Sequence, residues 1–390
     1  MKSYLHYEEE ELIRRKALVT ASEIENQPKV WRKLADVLQK NQTEIDAFMQ
    51  KMRSIPNLRV VFTGAGSSAF IGESISLLLQ RETGLRSECV HTTDIVATPD
   101  SVLYDVPTLL VSYSRSGSSP ESVGAIECAE HYVSDLYNMV FVCNKDSKLA
   151  QMDLDGNRNL IVNIPQEASD MGFAMTCSVS SMMLATWYVF GAGSQQDRLQ
   201  YILKLANAAE QSILSIDESA KSIAESGYER IVYLGLGALR GLAHEGSIKS
   251  QELTAGKVVA TYDTPTGFRH GPKTIINPKT LTVHLISAIP VARMYDIDLL
   301  NEINAEQSGN QTVAVVANEY AAQTKANIVV RYNAVAGFEG SELCSYLFGL
   351  LFIQLLSFEK SIVLGITTDN PCPKGDVNRV VQGVKLHIQD

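Results

Sequence analysis

The sequence predicts an α/β protein built from two tandem, doubly wound parallel-sheet domains preceded by helices. Three observations predict it. First, short apolar runs at 59–63, 108–113, 139–144 and 159–163 alternate with helical stretches, the pattern of a parallel sheet covered on both faces. Second, the series recurs about 171 residues later. Arg230-Ile-Val-Tyr-Leu-Gly235 echoes Arg59 onward, Leu281–Ser287 echoes 109–114, and Val313–Asn318 echoes 140–144. Third, small polar turns follow the strands, and ligands of such sheets bind beyond the strands' C-terminal ends.

The chain of 390 residues is 45% hydrophobic and 20% charged, with six scattered cysteines and no CxxC. This fits large cores and buried reduced thiols, and so a cytoplasmic protein. The start of the chain lacks the apolar segment of a signal peptide. A net charge of −10 argues against nucleic acid as a partner, so any bound anion must be held by local donors. The longest apolar run, Leu343–Phe358, is interrupted by Ser345, Gly349, Gln354 and Ser357 and reads as a core helix rather than a membrane span. The seven histidines are dispersed, so no metal or other cofactor is implied. The expected divisions are N-terminal helices at 1–52, a first domain at 53–191, a helical connection at 192–228, a second domain at 229–368 and a tail at 369–390.

Residues 8–52 read as two amphipathic helices broken near Asn26-Gln27-Pro28. At Gly64-Ala-Gly66-Ser67-Ser68 a strand turns into a helix. At Ser114-Arg115-Ser116-Gly117-Ser118-Ser119 a serine-rich loop precedes a helix opened by Pro120, with Ser119 as a natural N-cap. Strand, polar loop and helix N-terminus make an anion site, and the many donors suit the three oxygens of a phosphate monoester. The second copy has Ser287-Ala-Ile-Pro290-Val instead, so only the first should hold a phosphate. In its place the second copy puts Glu245, Lys249 and Glu252 on one helix face. Spacing alone favours a solvated ion pair there. A glycine- and proline-marked loop, Thr266–Pro272, then carries His270.

Together these motifs resemble the sugar isomerase (SIS) family over roughly residues 40–390. The match rests on Gly-x-x-Ser-Ser at 64–68, Ser-x-Ser-Gly-x-Ser at 114–119, Glu-Gly-x-x-Lys-x-x-Glu at 245–252 and His-Gly-Pro at 270–272. The last two are similar to the isomerase half of glucosamine-6-phosphate synthase. The tandem layout, the N-terminal helices and Asn370-Pro371 to Asn378-Arg379 look closest to the AgaS group, tagatose-6-phosphate ketose/aldose isomerases or galactosamine-6-phosphate deaminases. The resemblance implies SIS-type, flavodoxin-like sheets and a homodimer or homotetramer acting on a sugar phosphate. It implies Ser67, Ser68, Ser114, Arg115, Ser116 and Ser119 at the phosphate and nearby hydroxyls, and Phe173 and Thr176 along the sugar. It makes Glu252 the carboxylate that moves a proton between C1 and C2, with Lys249 beside it. It makes His270 the ring-opening histidine, supplied by a neighbouring subunit.

Two departures matter. The glutamine-hydrolysing domain has no counterpart in this chain, so free ammonia is the expected nitrogen species. The synthase's closing C-terminal lysine has no clear match: Gln382 falls near its place, and Lys374 or Lys385 are the nearby alternatives. Two rival readings also fit parts of the chain. Gly64-Ala-Gly66-Ser-Ser-Ala69 matches the dinucleotide fingerprint of a dehydrogenase, with only Glu88 as a ribose-binding acid. A non-catalytic sugar-phosphate sensor would need neither Glu252 nor His270.

Overall fold

The computed structural model describes residues 2–152, 157–338, 340–381 and 383–387. By internal packing the chain forms two compact units made of interleaved segments. One comprises Met1–Pro28, Met171–Thr176 and Lys204–Asp376; the other comprises Lys29–Asp170, Cys177–Leu203 and Val377–Asp390.

The chain opens with a hairpin, β1 (Ser3–Tyr4) and β2 (Tyr7–Glu8), and three helices, α1 (Glu9–Arg15), α2 (Leu18–Lys40) and α3 (Gln42–Ser54). The break expected near Pro28 does not occur: Pro28 lies inside α2. A mid-helix proline deprives the carbonyl four residues back of its donor. Here that carbonyl belongs to Ile24, and the Gln27 side chain donates to it at 3.2 Å. Gln27 also donates to Gln354 Oε1 at 2.7 Å. The chain breaks instead at Lys16, in the left-handed region at φ 52°, and at Asn41.

The first sheet holds β3 (Arg59–Thr63), β4 (Ser87–Cys89), β5 (Thr108–Ser114), β6 (Leu136–Val142) and β7 (Asn159–Asn163). Its helices are α4 (Ser67–Thr83), α5 (Thr92–Ala97), α6 (Pro99–Val102) and α7 (Pro120–Tyr132), followed by α8 (Cys177–Phe190) and α9 (Gln195–Ala224). The second sheet holds β8 (Arg230–Leu234), β9 (Val259–Asp263), β10 (Thr280–Leu285), β11 (Gln311–Ala317) and β12 (Ile328–Tyr332). Its helices are α10 (Ala238–Leu253), α11 (Pro265–Phe268), α12 (Pro290–Ala305) and α13 (Leu343–Val363). The strand orders are β4-β3-β5-β6-β7 and β9-β8-β10-β11-β12, all parallel. Each sheet therefore winds outward in both directions from its first strand, the doubly wound class the sequence predicts. The short edge strands β4 and β9 carry no strong apolar run, β12 has only the short Ile328-Val329-Val330, and all three escape the sequence reading.

The two copies share one turn in atomic detail. Gly66 and Gly237 begin α4 and α10 with φ/ψ of 56°/−130° and 56°/−128°, a conformation that favours glycine. A Cβ at Gly64 would lie 2.6 Å from Ser68, and one at Gly235 would lie 2.3 Å from the Leu239 carbonyl oxygen. Glycine is therefore required at both positions of both turns. α13 is long and apolar enough to cross a membrane, but 94% of its apolar window is buried inside the protein. It is the core helix expected from the 343–358 run. All six cysteines are free thiols.

Candidate active site

The serine loops belong to the first sheet. β3 and β5 are neighbours, with Thr63 opposite Ser112, and the chain leaves them toward opposite edges. Such a switch point opens a crevice at the C-terminal strand ends. Ser67 and Ser68 lie buried in the first turn of α4, at its amide-donating end. Ser114 ends β5 and accepts the Gly117 N–H at 2.9 Å. Gly117 takes φ +63°, and a Cβ there would fall 2.0 Å from Ser147 Oγ, so the loop closes only around glycine. The 144–149 segment braces it: Leu149 N–H donates to Gly117 O at 3.0 Å. Ser119 caps α7, accepting from Ser122 N–H at 3.4 Å with its Oγ 2.6 Å from Ser122 Oγ.

Arg115 is buried, and its Nη2 donates to the carbonyl of Arg379 at 2.8 Å. The Arg379 guanidinium in turn donates to the Asp170 carbonyl. Asp170 caps the start of α8, accepting from Cys177 N–H at 2.8 Å and Ser178 N–H at 3.0 Å. The C-terminal segment is thus tied to the serine loop through Arg115, a link that residue patterning did not reveal. Gln382 lies outside the described residues; Lys374 and Lys385 are exposed.

The other unit carries Lys249, Glu252, His270, Phe173 and Thr176. α10 packs on β8 and α13. Gly246 permits this closeness, since a Cβ there would lie 2.8 Å from the Tyr233 ring. The packing buries the face that spacing alone had assigned to solvent. Glu245 and Lys249 are fully buried, 3.2 Å apart, and Lys249 Nζ donates to Glu252 Oε2 at 2.7 Å. Glu252 keeps 25% of its side chain exposed. Burial alone would lower the Lys249 pKa, but the two carboxylates outweigh it and hold it above the ordinary 10.5. The arrangement is a buried cation, neutralised from behind by Glu245, that fixes one oxygen of a carboxylate still open to water. Glu245 escaped the sequence reading as a functional residue, although Gly246 beside it signalled close packing.

His270 is exposed on the turn after α11, and its N–H donates to Gly267 O at 2.8 Å. The turn is anchored on both sides. Phe268 is fully buried in a core cluster with Val232, Leu234, Leu299 and Ile303. Arg269 bonds Glu302 at 2.7 Å, and Lys273 pairs with Glu302 and Glu306. Thr176 is buried and its carbonyl accepts from Gln354 Nε2 at 3.3 Å, while Phe173 is half-buried. Gly172 donates to the Glu23 carboxylate, which holds this segment against the N-terminal part of its unit. Among the described residues no group of three or more His, Cys, Asp or Glu is arranged to hold a metal ion.

The two assemblies offer distinct chemistry: oriented hydroxyls and amides for a phosphate, and a positioned carboxylate for proton transfer. No protein-family model matches the chain. It is 37% identical over 383 residues to the D-galactosamine-6-phosphate deaminase AgaS of Shewanella sp. (strain ANA-3), covering 97% of this chain and 94% of that protein. A solved structure from Clostridium novyi NT, given the working name tagatose-6-phosphate ketose/aldose isomerase, superposes with TM-score 0.94 at 38% identity over 100% of both chains. The C-terminal domain of the Francisella tularensis glucosamine-fructose-6-phosphate aminotransferase shares the fold, with TM-score 0.73 at 16% identity, covering 89% of this chain and 96% of that one. The chain belongs to the AgaS family of SIS-type sugar-phosphate deaminases and isomerases.

Proposed function

We propose that the protein converts galactosamine 6-phosphate and water to tagatose 6-phosphate and ammonia. The serine loops take the phosphate, and His270, supplied by a neighbouring subunit of a homodimer or homotetramer, opens the ring. Glu252 removes the C2 proton of the open-chain sugar, giving an enolamine, and returns it to C1. The resulting C2 imine adds water and releases ammonia, leaving the ketone. One carboxylate on one face of the sugar serves both proton transfers. On an unaminated sugar the same shuttle gives plain aldose–ketose exchange. Phe173 and Thr176 line the sugar in this reading.

The observation that carries the reading is the Glu245–Lys249–Glu252 assembly. Its outer member alone reaches water, with Oε2 held at 2.7 Å and Oε1 left to take the proton. The names of the relatives support the substrate class. The test is ammonia release from galactosamine 6-phosphate, with glucosamine 6-phosphate and tagatose 6-phosphate in parallel. Release from the galacto compound, abolished in Glu252→Gln while tagatose 6-phosphate still binds, is the expected result. An active Gln variant refutes the role of Glu252. Aldose–ketose exchange without ammonia makes the protein a plain isomerase.

A further inference from the structure

One short segment braces the whole start of α4. Cys89 Sγ donates to Ala69 O at 3.3 Å, His91 Nε2 lies 2.9 Å from Glu73 Oε1, and Thr92 N–H donates to Gly64 O at 2.8 Å. Cys89 at the end of β4, with His91 and Thr92 at the start of α5, thus holds the glycine turn and the first two turns of the helix that carries Ser67 and Ser68. The fit is tight, since a Cβ on Gly72 would lie 2.8 Å from Cys89 Sγ. The His91 ring also stands edge-on to Phe70, with centroids 6.0 Å apart. Its side chain is 28% exposed, so the ring exchanges protons with water.

We propose that His91 is a positioning residue of the phosphate site: paired with Glu73 it fixes the Gly64–Ser68 turn, and its proton adds a positive charge beside that turn which strengthens phosphate binding. The proposal rests on the serine loops being the phosphate site. The charged groups facing His91 are Glu73 from α4 and Asp94 from α5. The bond to Glu73 raises the imidazole pKa above its ordinary 6.5, against the opposing effect of burial. The cation is therefore present at pH 6 and lost as the pH rises. With the proton on, the imidazolium offsets the Glu73 charge; with it off, that positive charge beside the turn is gone.

The test uses the full chain and inorganic phosphate, titrated calorimetrically from pH 6 to 9, beside KM and kcat with galactosamine 6-phosphate. Comparison between variants at each pH removes the titration of phosphate itself. His91→Gln should bind phosphate about threefold more weakly than the parent at pH 6, the scale of one unit charge acting through water. The two should converge at pH 9. His91→Lys, permanently charged, should match the parent at pH 6 and bind about threefold more tightly at pH 9. KM should follow the same ratios and kcat should not. In Glu73→Gln the parent's pH step should move to lower pH. A ratio that stays constant with pH, as a purely structural role would give, or stays at one, overturns the proposal for His91. If the parent binds no phosphate at any pH, the reading of the serine loops falls first and this proposal with it.

Discussion

Replacing Lys249 with Met should destabilise the protein through Glu245 more than through the loss of any contact of its own. At 3.2 Å the Lys249–Glu245 attraction is about 5 kcal/mol for an effective dielectric near 20. Much of this is offset by the desolvation of two fully buried groups. What the substitution leaves behind is a buried carboxylate without its cation, and breaking such a pair from one side costs about 3–5 kcal/mol. The loss should depend on pH. Without Lys249, Glu245 binds a proton more readily in the folded than in the unfolded chain, so folding takes up a proton and stability falls as pH rises. The deficit should be largest near pH 8 and shrink toward pH 5. Urea unfolding at the two pH values measures it, and Lys249→Met with Glu245→Gln should recover at least half of the loss at pH 8. A deficit under about 1 kcal/mol, or a Glu245→Gln change that adds to the loss instead of relieving it, would refute the reasoning.

Ser116→Ala should raise KM for the sugar phosphate and leave the melting temperature unchanged. Ser119→Ala should raise KM and also lose about 1 kcal/mol of stability, because it caps α7; equal melting curves for the two variants would count against the cap. The unit built on the second sheet contains a buried acid pair. Tyr7 donates to Glu359 Oε2 at 2.6 Å, and burial, with the Glu359 charge adding, pushes Asp217 up to about 8. A carboxyl raised in this way stabilises the fold while protonated, and that contribution is lost as pH rises from the unfolded value toward 8. Asp217→Asn should therefore gain thermal stability relative to the parent between pH 5 and 8, and a constant difference across that range would remove the Asp217 proton from the account.

How much was legible in the sequence follows from what each feature looks like without its neighbours. The strands β3 and β8 were legible because β-branched runs stop at glycine turns that only glycine can make, and β5 because an apolar run, Leu109-Leu110-Val111, enters a serine-rich loop. The edge strand β9, Val259-Ala-Thr-Tyr-Asp, was not: it is exposed or half-exposed along its length and lacks the apolar run that marks a central strand. The helix through Pro28 was misread because proline in a helix interior usually leaves a carbonyl unsatisfied, and the rescue by Gln27 is a side-chain geometry no pattern encodes. The Glu245–Lys249 pair shows the limit most clearly. Its spacing is identical to that of a solvated i,i+4 pair, and only the packing of α10 on β8 and α13 separates the two. The dependence of Arg115 on Arg379, far along the chain, is invisible to any local reading.

The repeat explains why one copy of the fold should take a phosphate and the other should not. Both have the same turn, glycines at 64 and 66 against 235 and 237, and both open the later helix with proline, Pro120 against Pro290. The difference lies in what faces the turn. In the second copy Ser287, just beyond β10, donates its N–H to Asp296 at 2.9 Å and its hydroxyl to Glu342. A Cβ on Gly237 would lie 3.3 Å from Glu342 Oε2, so that carboxylate sits against the turn itself. Asp296 is buried beside it and pushed up to about 8, chiefly by burial. The donors that an anion would need there are therefore already engaged by the chain's own acids, and an arriving phosphate would meet the Glu342 carboxylate. The second copy, whose Ser287 donors are taken by Glu342 and Asp296, carries the buried lysine and its two carboxylates on α10. A duplicated binding fold has in this way divided into a half that suits holding an anion and a half that suits moving a proton.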